Sequence, residues 1–430
     1  MKDIMKIENG NLIYDGFNLK ELALKYGTPL KITFLDVIKK RIEELKLAFD
    51  KAILDSKYNG KFIYLNANKA NYSKEEIETA LKFSDGLETS SYYDLLVTER
   101  IMKNHKEYNK YIVSNGYKER NYIDNIVRLH KEGFNIIDII DSLDEYEYLK
   151  SLNIDLKVGL RIHLEAQYAE DEVKNDRFGL NEEELKFIND DLKKTNLILT
   201  TIHFHQRGFD FEHDKFYVNI NKLVNAYSLF YNNYSNTLEY IDLGGGTPLP
   251  LNDDFDYYNW ALELINYLKK KLNKDVNIII ENGKYSQKDA TVNVYKVITK
   301  KETDTIPWYV VNSSLLIALP EMYALGEEIL VMPINGLDKL TKKGRLAGVT
   351  CDCDDVLYDK KTFDFDLPDE SDIYIGLIGT GSYQNSMNGK GGLHHCLLPE
   401  ELDLVIDLDG NKIIRKDLQS IEDVFKMMKI

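Results

Sequence analysis

The chain has 430 residues, 43% of them hydrophobic, and its 71 acidic against 55 basic side chains leave a formal charge of −16. That length and apolar content predict a large core with room for two domains, and the acidic balance argues against a nucleic-acid or anionic-membrane partner. Three cysteines (Cys351, Cys353 and Cys396) cannot all pair, no apolar run reaches membrane-spanning length and the opening "MKDIMKIENGN" lacks a signal-peptide core, so a reducing, cytoplasmic setting is expected.

In chain order, "ENGNLIYDGFN" reads as strand, and "LDVIKKRIEELKLAFDKAI" from Leu35 reads as an amphipathic helix. From about residue 35 to 282 helix and strand then alternate. The strand candidates are "KFIYLNA", "GLETSS", "KYIVSN", "FNIIDIID", "LKVGLRIHL", "LILTTIHFH", "LEYIDLGGG" and "VNIIIENG". Amphipathic segments lie between them, among them "SKEEIETALKF", with Ser73 as its expected cap and Glu76 three residues on. Eight such units over about 250 residues predict a closed (β/α)8 barrel of the TIM type. From Ala290 onward the runs "TVNVYKVITK", "PWYVVNSSL", "EEILVMPI", "GRLAGVTCD" and "DIYIGLIG" alternate with Gly, Asp and Pro turns, which predicts a β domain. The expected division is an α/β barrel over 32–284 and a C-terminal β domain formed by 285–430, which also takes up the N-terminal strand within 1–31.

Barrel enzymes collect their site residues from the C-terminal ends of several strands. Here strand one delivers Lys69, strand two Glu88 and strand five Arg161. Strand six delivers His203 and His205, strand seven Gly244, Gly245 and Gly246, and strand eight Glu281. Pyridoxal 5'-phosphate needs such a set: an amine for its aldehyde, close backbone N–H groups for its phosphate, a carboxylate for its ring nitrogen and a flat group against its ring face. Each residue alone also has an ordinary reading. Lys69 reads as a surface lysine, the glycines as a flexible turn, Glu281 as a structural cap, and the two histidines as core groups or metal ligands. Their ordered placement at successive strand ends favours the cofactor.

The motifs resemble those of the pyridoxal-phosphate-dependent decarboxylases that join an alanine-racemase-type (fold-type III) barrel to a C-terminal β domain: the ornithine, diaminopimelate and biosynthetic arginine decarboxylases. "NKAN" around Lys69 resembles the family's Schiff-base lysine segment, and "IDLGGG" its phosphate loop. "ENGK" resembles the segment that supplies the pyridine-nitrogen carboxylate, here Glu281 with Gly283 and Lys284 beside it. "HFH" matches the ring-stacking histidine segment, whose second member is His205. "TCDCDD" resembles the C-terminal Cys-Asp element and "GTGSYQNSMNG" the phosphate-contacting tyrosine segment, which points to Tyr383. "SNGYKERNYID" and "GLETSS" look most like the arginine decarboxylase branch. Two departures stand out: "QRGF" follows His205 where the family has a small Gly-Ser pair, and Lys284 stands where it has an arginine. A lysine neutralises phosphate as a point charge, without the bidentate fork.

The resemblance implies α-decarboxylation of a basic L-amino acid, arginine first, giving agmatine and carbon dioxide within polyamine biosynthesis. It implies a homodimer with sites at the interface, where Cys351 returns a proton to the α-carbon. Asp352 and Asp354 are expected to meet the cationic end of the substrate, while Asp355 is expected to be a solvated turn residue. Diaminopimelate, whose far carboxylate Arg345 would serve, is the nearest alternative, followed by ornithine, lysine and carboxynorspermidine-type substrates. A racemase on the same barrel and a non-catalytic regulatory relative are the remaining readings. No metal is expected: Cys351 and Cys353, one residue apart, have an unusual spacing for zinc, and "LHHC" ending at Cys396 would have to complete such a site.

Overall fold

The computed structural model describes residues 4–164, 177–206, 213–249, 255–272, 274–327, 329–357, 364–384 and 395–430. They divide into two compact units: Lys40–Tyr285, and Met1–Lys39 together with Ser286–Ile430. Among the described residues no helix is long and apolar enough to cross a membrane.

The first unit is a closed barrel of eight parallel strands. Strand one is Phe62–Ala67, two Gly86–Thr89, three Tyr111–Ser114, four Asn135–Ile140, five Lys157–Arg161, six Ile198–His203, seven Tyr240–Asp242 and eight Asn277–Asn282. Strand eight closes the cylinder by pairing with strand one, from Ile278 against Phe62 to Asn282 against Asn66. Side chains alternate along each strand, so Ile63, Leu65, Val113, Ile137, Ile139 and Ile279 fill the interior while their neighbours face the helices. The barrel is therefore a packed plug, and its chemistry is confined to the rim.

Helix starts follow local side-chain chemistry. Ser91, Ser142 and Asp256 each accept a hydrogen bond from the backbone N–H three residues on, and Asn181 with Glu184 forms a reciprocal capping box. Ser73 occupies the expected cap position before Lys74–Phe83, but its side chain makes no capping bond; Asn71 instead accepts from the Ser73 amide.

The second unit is built on the long strand Thr291–Lys301, which pairs with Leu30–Phe34, Trp308–Val311 and Tyr374–Ile378. Leu402–Ile406 then adds in parallel to Leu30–Phe34. Those bonds assign Leu30–Phe34 to this sheet, so the division between units falls at Lys39/Lys40 rather than at residue 32. Tyr295, Val311, Leu315, Leu319, Leu346, Leu367, Ile375 and Leu377 form its core. The run "PWYVVNSSL" is strand only through Val311, and its end starts the short helix Leu315–Ala318.

That helix start overturns one expectation: Asp355 is buried, not a solvated turn residue. Its Oδ1 accepts from the Leu315 and Leu316 amides at 2.8 and 3.0 Å and from the Ser314 hydroxyl. Its Oδ2 accepts from the Thr350 hydroxyl at 2.7 Å. Removing this carboxylate leaves several donors unsatisfied, so Asp355→Ala is expected to cost roughly 2–4 kcal/mol in denaturant unfolding. Asp354→Ala, at an exposed position, is expected to stay within about 0.5 kcal/mol of the parent.

Candidate active site

The rim of the barrel gathers most of the expected residues. Lys69 lies in the single turn Asn68–Ala70 that leaves strand one, and its Nζ is 3.3 Å from Glu88 Oε2. Glu88, fully buried at the end of strand two, accepts on Oε1 from the Ser90 hydroxyl at 2.5 Å and from Asn115 Nδ2 at 3.1 Å. The same Asn115 amide donates to both oxygens of Glu281, at 2.9 and 2.8 Å. His203 Nε2 sits 3.6 Å from Glu281 Oε2, and Asp242 comes within the same small cluster. One asparagine thus ties together two buried carboxylates from strands two and eight.

Burial alone would raise both Glu281 and Asp242. For Glu281 the neighbouring His203, the Lys69 cation and the Asp242 side chain outweigh it and hold the carboxyl below the usual range. For Asp242 burial and the adjacent Glu281 charge act together, and the group is pushed well up. The two shifts run in opposite directions and favour the charge on Glu281 over Asp242. His205 is lowered by burial and by the cations Lys69 and Arg161, so it is neutral near pH 7.

Two glycines hold the loop close to this centre. Gly244 has φ +62°, and a Cβ there would lie 2.7 Å from the Phe204 carbonyl and 2.9 Å from the His205 Cα. A Cβ on Gly245 would meet the Glu281 carbonyl oxygen at 2.8 Å and His205 Nε2 at 3.3 Å. Gly246, at φ +96°, completes the turn. Gly283 is packed against Ala67 and Ala70 beside the lysine turn, and Lys284 follows it, half-buried, at the start of a short helix. Arg161 is ion-paired to Asp141 at 2.9 Å and lies over the Phe178 ring. In place of the small pair after His205, Gln206 is buried and accepts from Asn219 Nδ2 at 2.8 Å, which ties this segment to the helix that follows.

Pyridoxal phosphate fits these residues. His203 Nδ1 is buried without a hydrogen-bond partner among the described residues, and an amine, two buried carboxylates and a glycine turn meet at this one rim. A side chain on either Gly244 or Gly245 would collide with Phe204, His205 or Glu281, so only glycine lets this backbone lie against the centre. Sequence reading missed Asn115 and Asp242. Asn115 ends the run "KYIVSN" and Asp242 opens "DLGGG", so the strand-end rule that found the other residues extends to both.

The remaining expected residues belong to the β unit. Cys351 is exposed, and Asp352 Oδ1 accepts from the Asp354 amide at 2.9 Å. Tyr383 sits in a left-handed turn at φ +59°.

The family described as pyridoxal-dependent decarboxylase, pyridoxal binding domain, matches residues 35–287, more than half of the chain. The chain belongs to this decarboxylase family. It is 28% identical over 318 residues to the biosynthetic arginine decarboxylase of Prochlorococcus marinus strain MIT 9301, covering 65% of this chain and 47% of that protein. The chain thus spans about half the length of the curated relatives it matches. Among solved structures, the biosynthetic arginine decarboxylase from Campylobacter jejuni superposes with a TM-score of 0.83 over 99% of this chain and 90% of its own, at 20% identity. Diaminopimelate decarboxylase from M. jannaschii gives 0.80 over 99% and 97%, also at 20% identity. At that identity both establish the fold: a barrel of this decarboxylase type with a β domain.

The rim also carries a titration with a clear sign. Burial and the nearby Glu88 charge raise Asp94 to about 7 from its ordinary 3.8. A raised carboxyl stabilises the fold fully below its unfolded value, and that contribution is lost as pH rises through about 7. Asp94→Asn keeps the group neutral. Its melting temperature relative to the parent is therefore expected to climb between pH 4 and pH 8; a pH-independent difference in a thermal-unfolding series would contradict the assignment.

Proposed function

We propose that this protein removes the α-carboxyl group of a basic L-amino acid, arginine first, releasing carbon dioxide and, from arginine, agmatine. The observation that carries the reading is the rim itself: an amine on strand one, a carboxylate on strand eight kept ionised inside the barrel, and a glycine turn beside them. Lys69 would hold pyridoxal phosphate by its aldehyde carbon and Glu281 would keep its ring nitrogen protonated. Neutral His205 offers a flat face to the ring, and the Gly244–Gly246 backbone, Lys284 and Tyr383 would bind the phosphate. Glu88 and Arg161 complete the cofactor's surroundings, Glu88 by steadying the Lys69 cation at 3.3 Å. The bound cofactor supplies an electron sink for the bonding pair left behind when the carboxylate departs.

A proton must then return to the α-carbon. In a homodimer of the family's kind, Cys351 of the partner subunit would donate it. The Cys396 sulfur raises the Cys351 thiol, which keeps it protonated, as an acid must be. Asp352 and Asp354 beside it offer carboxylates to a guanidinium or ammonium. Asp355 is spent on the helix start, so it takes no part in substrate binding. The diaminopimelate alternative would need Arg345 for a second carboxylate, but Arg345 Nε already donates to Asp364 at 3.0 Å, which favours purely basic substrates. The arginine decarboxylase relatives support the same ranking.

Two measurements test this reading. Borohydride reduction of the pyridoxal-phosphate-loaded protein followed by peptide mapping is expected to place the pyridoxyl group on Lys69, and Lys69→Ala is expected to lose turnover by at least about 1,000-fold. Incubation with arginine, ornithine, lysine and diaminopimelate, with the amines identified, is expected to show arginine consumed fastest. Consumption of diaminopimelate alone would overturn the acidic-pocket argument.

A further inference from the structure

Within the β unit, two cysteines distant in sequence meet. Cys351 Sγ lies 3.3 Å from Cys396 Sγ, and the Cys351 amide donates to the same Cys396 sulfur at 3.4 Å. They are separated by 45 positions, so the contact is made by the fold and not by local chain geometry. Both are exposed. Cys396 is presented by a turn in which it and Leu397 adopt φ values of 57° and 50°, a conformation that L side chains rarely take. Bonded sulfurs sit about 2 Å apart, so a small rotation of either side chain brings this pair to bonding distance. Cys353 is grouped instead with the carboxylates of Asp352 and Asp354, and no set of three metal-ligating side chains among the described residues includes Cys351 or Cys396.

We propose that Cys351 and Cys396 are a redox-modifiable thiol pair that closes to an intramolecular disulfide and opens again on reduction. With a small-molecule disulfide such as glutathione disulfide as oxidant, the thiolate of one cysteine attacks it and releases one glutathione thiolate. The second cysteine, deprotonated in turn, attacks the protein-bound sulfur and releases the other. The two protein sulfurs lose two electrons between them, the oxidant gains those two, and the two cysteine protons leave on the two glutathione thiols. The consequence for turnover rests on the proton-donor role proposed for Cys351: a sulfur locked in a disulfide has no proton to give, so oxidation switches the enzyme off.

The test uses the full-length holoprotein and reads the bond and the activity separately. After incubation with glutathione disulfide, thiol titration is expected to fall from three groups to one, and non-reducing peptide mapping to find a Cys351–Cys396 linked pair. Dithiothreitol restores all three. In Cys396→Ser the linked pair is absent and the oxidant causes no lasting disulfide between protein cysteines. Three free thiols after oxidation, glutathione adducts alone, or a link through Cys353 would each overturn the proposal. Activity of the oxidised parent is expected to fall by about 100-fold and to recover on reduction. If the linked pair forms while turnover is unchanged, the disulfide stands and the assignment of Cys351 as proton donor falls.

Discussion

A carboxylate can remain ionised inside a barrel rim only where donors converge on it, because burial alone would drive a proton onto it. Glu281 meets that condition through the Asn115 amide, which reaches both of its oxygens, and through His203 beneath and Lys69 nearby. The electrostatics of the rim follow from this arrangement. Asp242, a second acid within the same small cluster, is pushed up by burial and by the Glu281 charge, which disfavours its ionisation. Glu88 shares the same asparagine and balances the Lys69 cation. The two carboxylates share the Asn115 amide, and the Lys69 cation beside Glu88 offsets part of their charge.

The backbone around that centre is shaped by the same crowding. Gly244 and Gly245 approach the His205 ring and the Glu281 carbonyl so closely that any side chain would collide with them. Asp242 and the glycine turn are close in sequence: Asp242 Oδ1 accepts from the Gly244 amide at 2.9 Å, so this buried acid also fixes the start of the loop.

In the β unit a short acidic run is divided between unrelated tasks. Asp355 is consumed by the amides of a helix start and by Thr350, while Asp352 and Asp354 stay at the surface beside Cys351 and Cys353. Gly348 makes this possible, since a Cβ there would sit 2.1 Å from Asp355 Oδ2. The same segment brings Cys351 to Cys396. A buried helix-start carboxylate, two surface carboxylates and a thiol in close contact with another thus lie within a few residues of one another, and neighbouring substitutions there test different properties.

The sequence by itself determined the period of the barrel, the switch to β structure after Ala290 and the strand ends that carry Lys69, Glu88, His205, the glycines and Glu281. Alternation and strand-end position are local properties, written in residue order. Only the tertiary structure decided that Asn115 bridges two carboxylates 27 and 166 positions away, that Asp242 is shifted up while Glu281 is shifted down, and that Asp355 is buried while its neighbours are not. Those outcomes depend on which donors stand within about 3 Å of an atom once the chain is closed, and no local pattern encodes that distance.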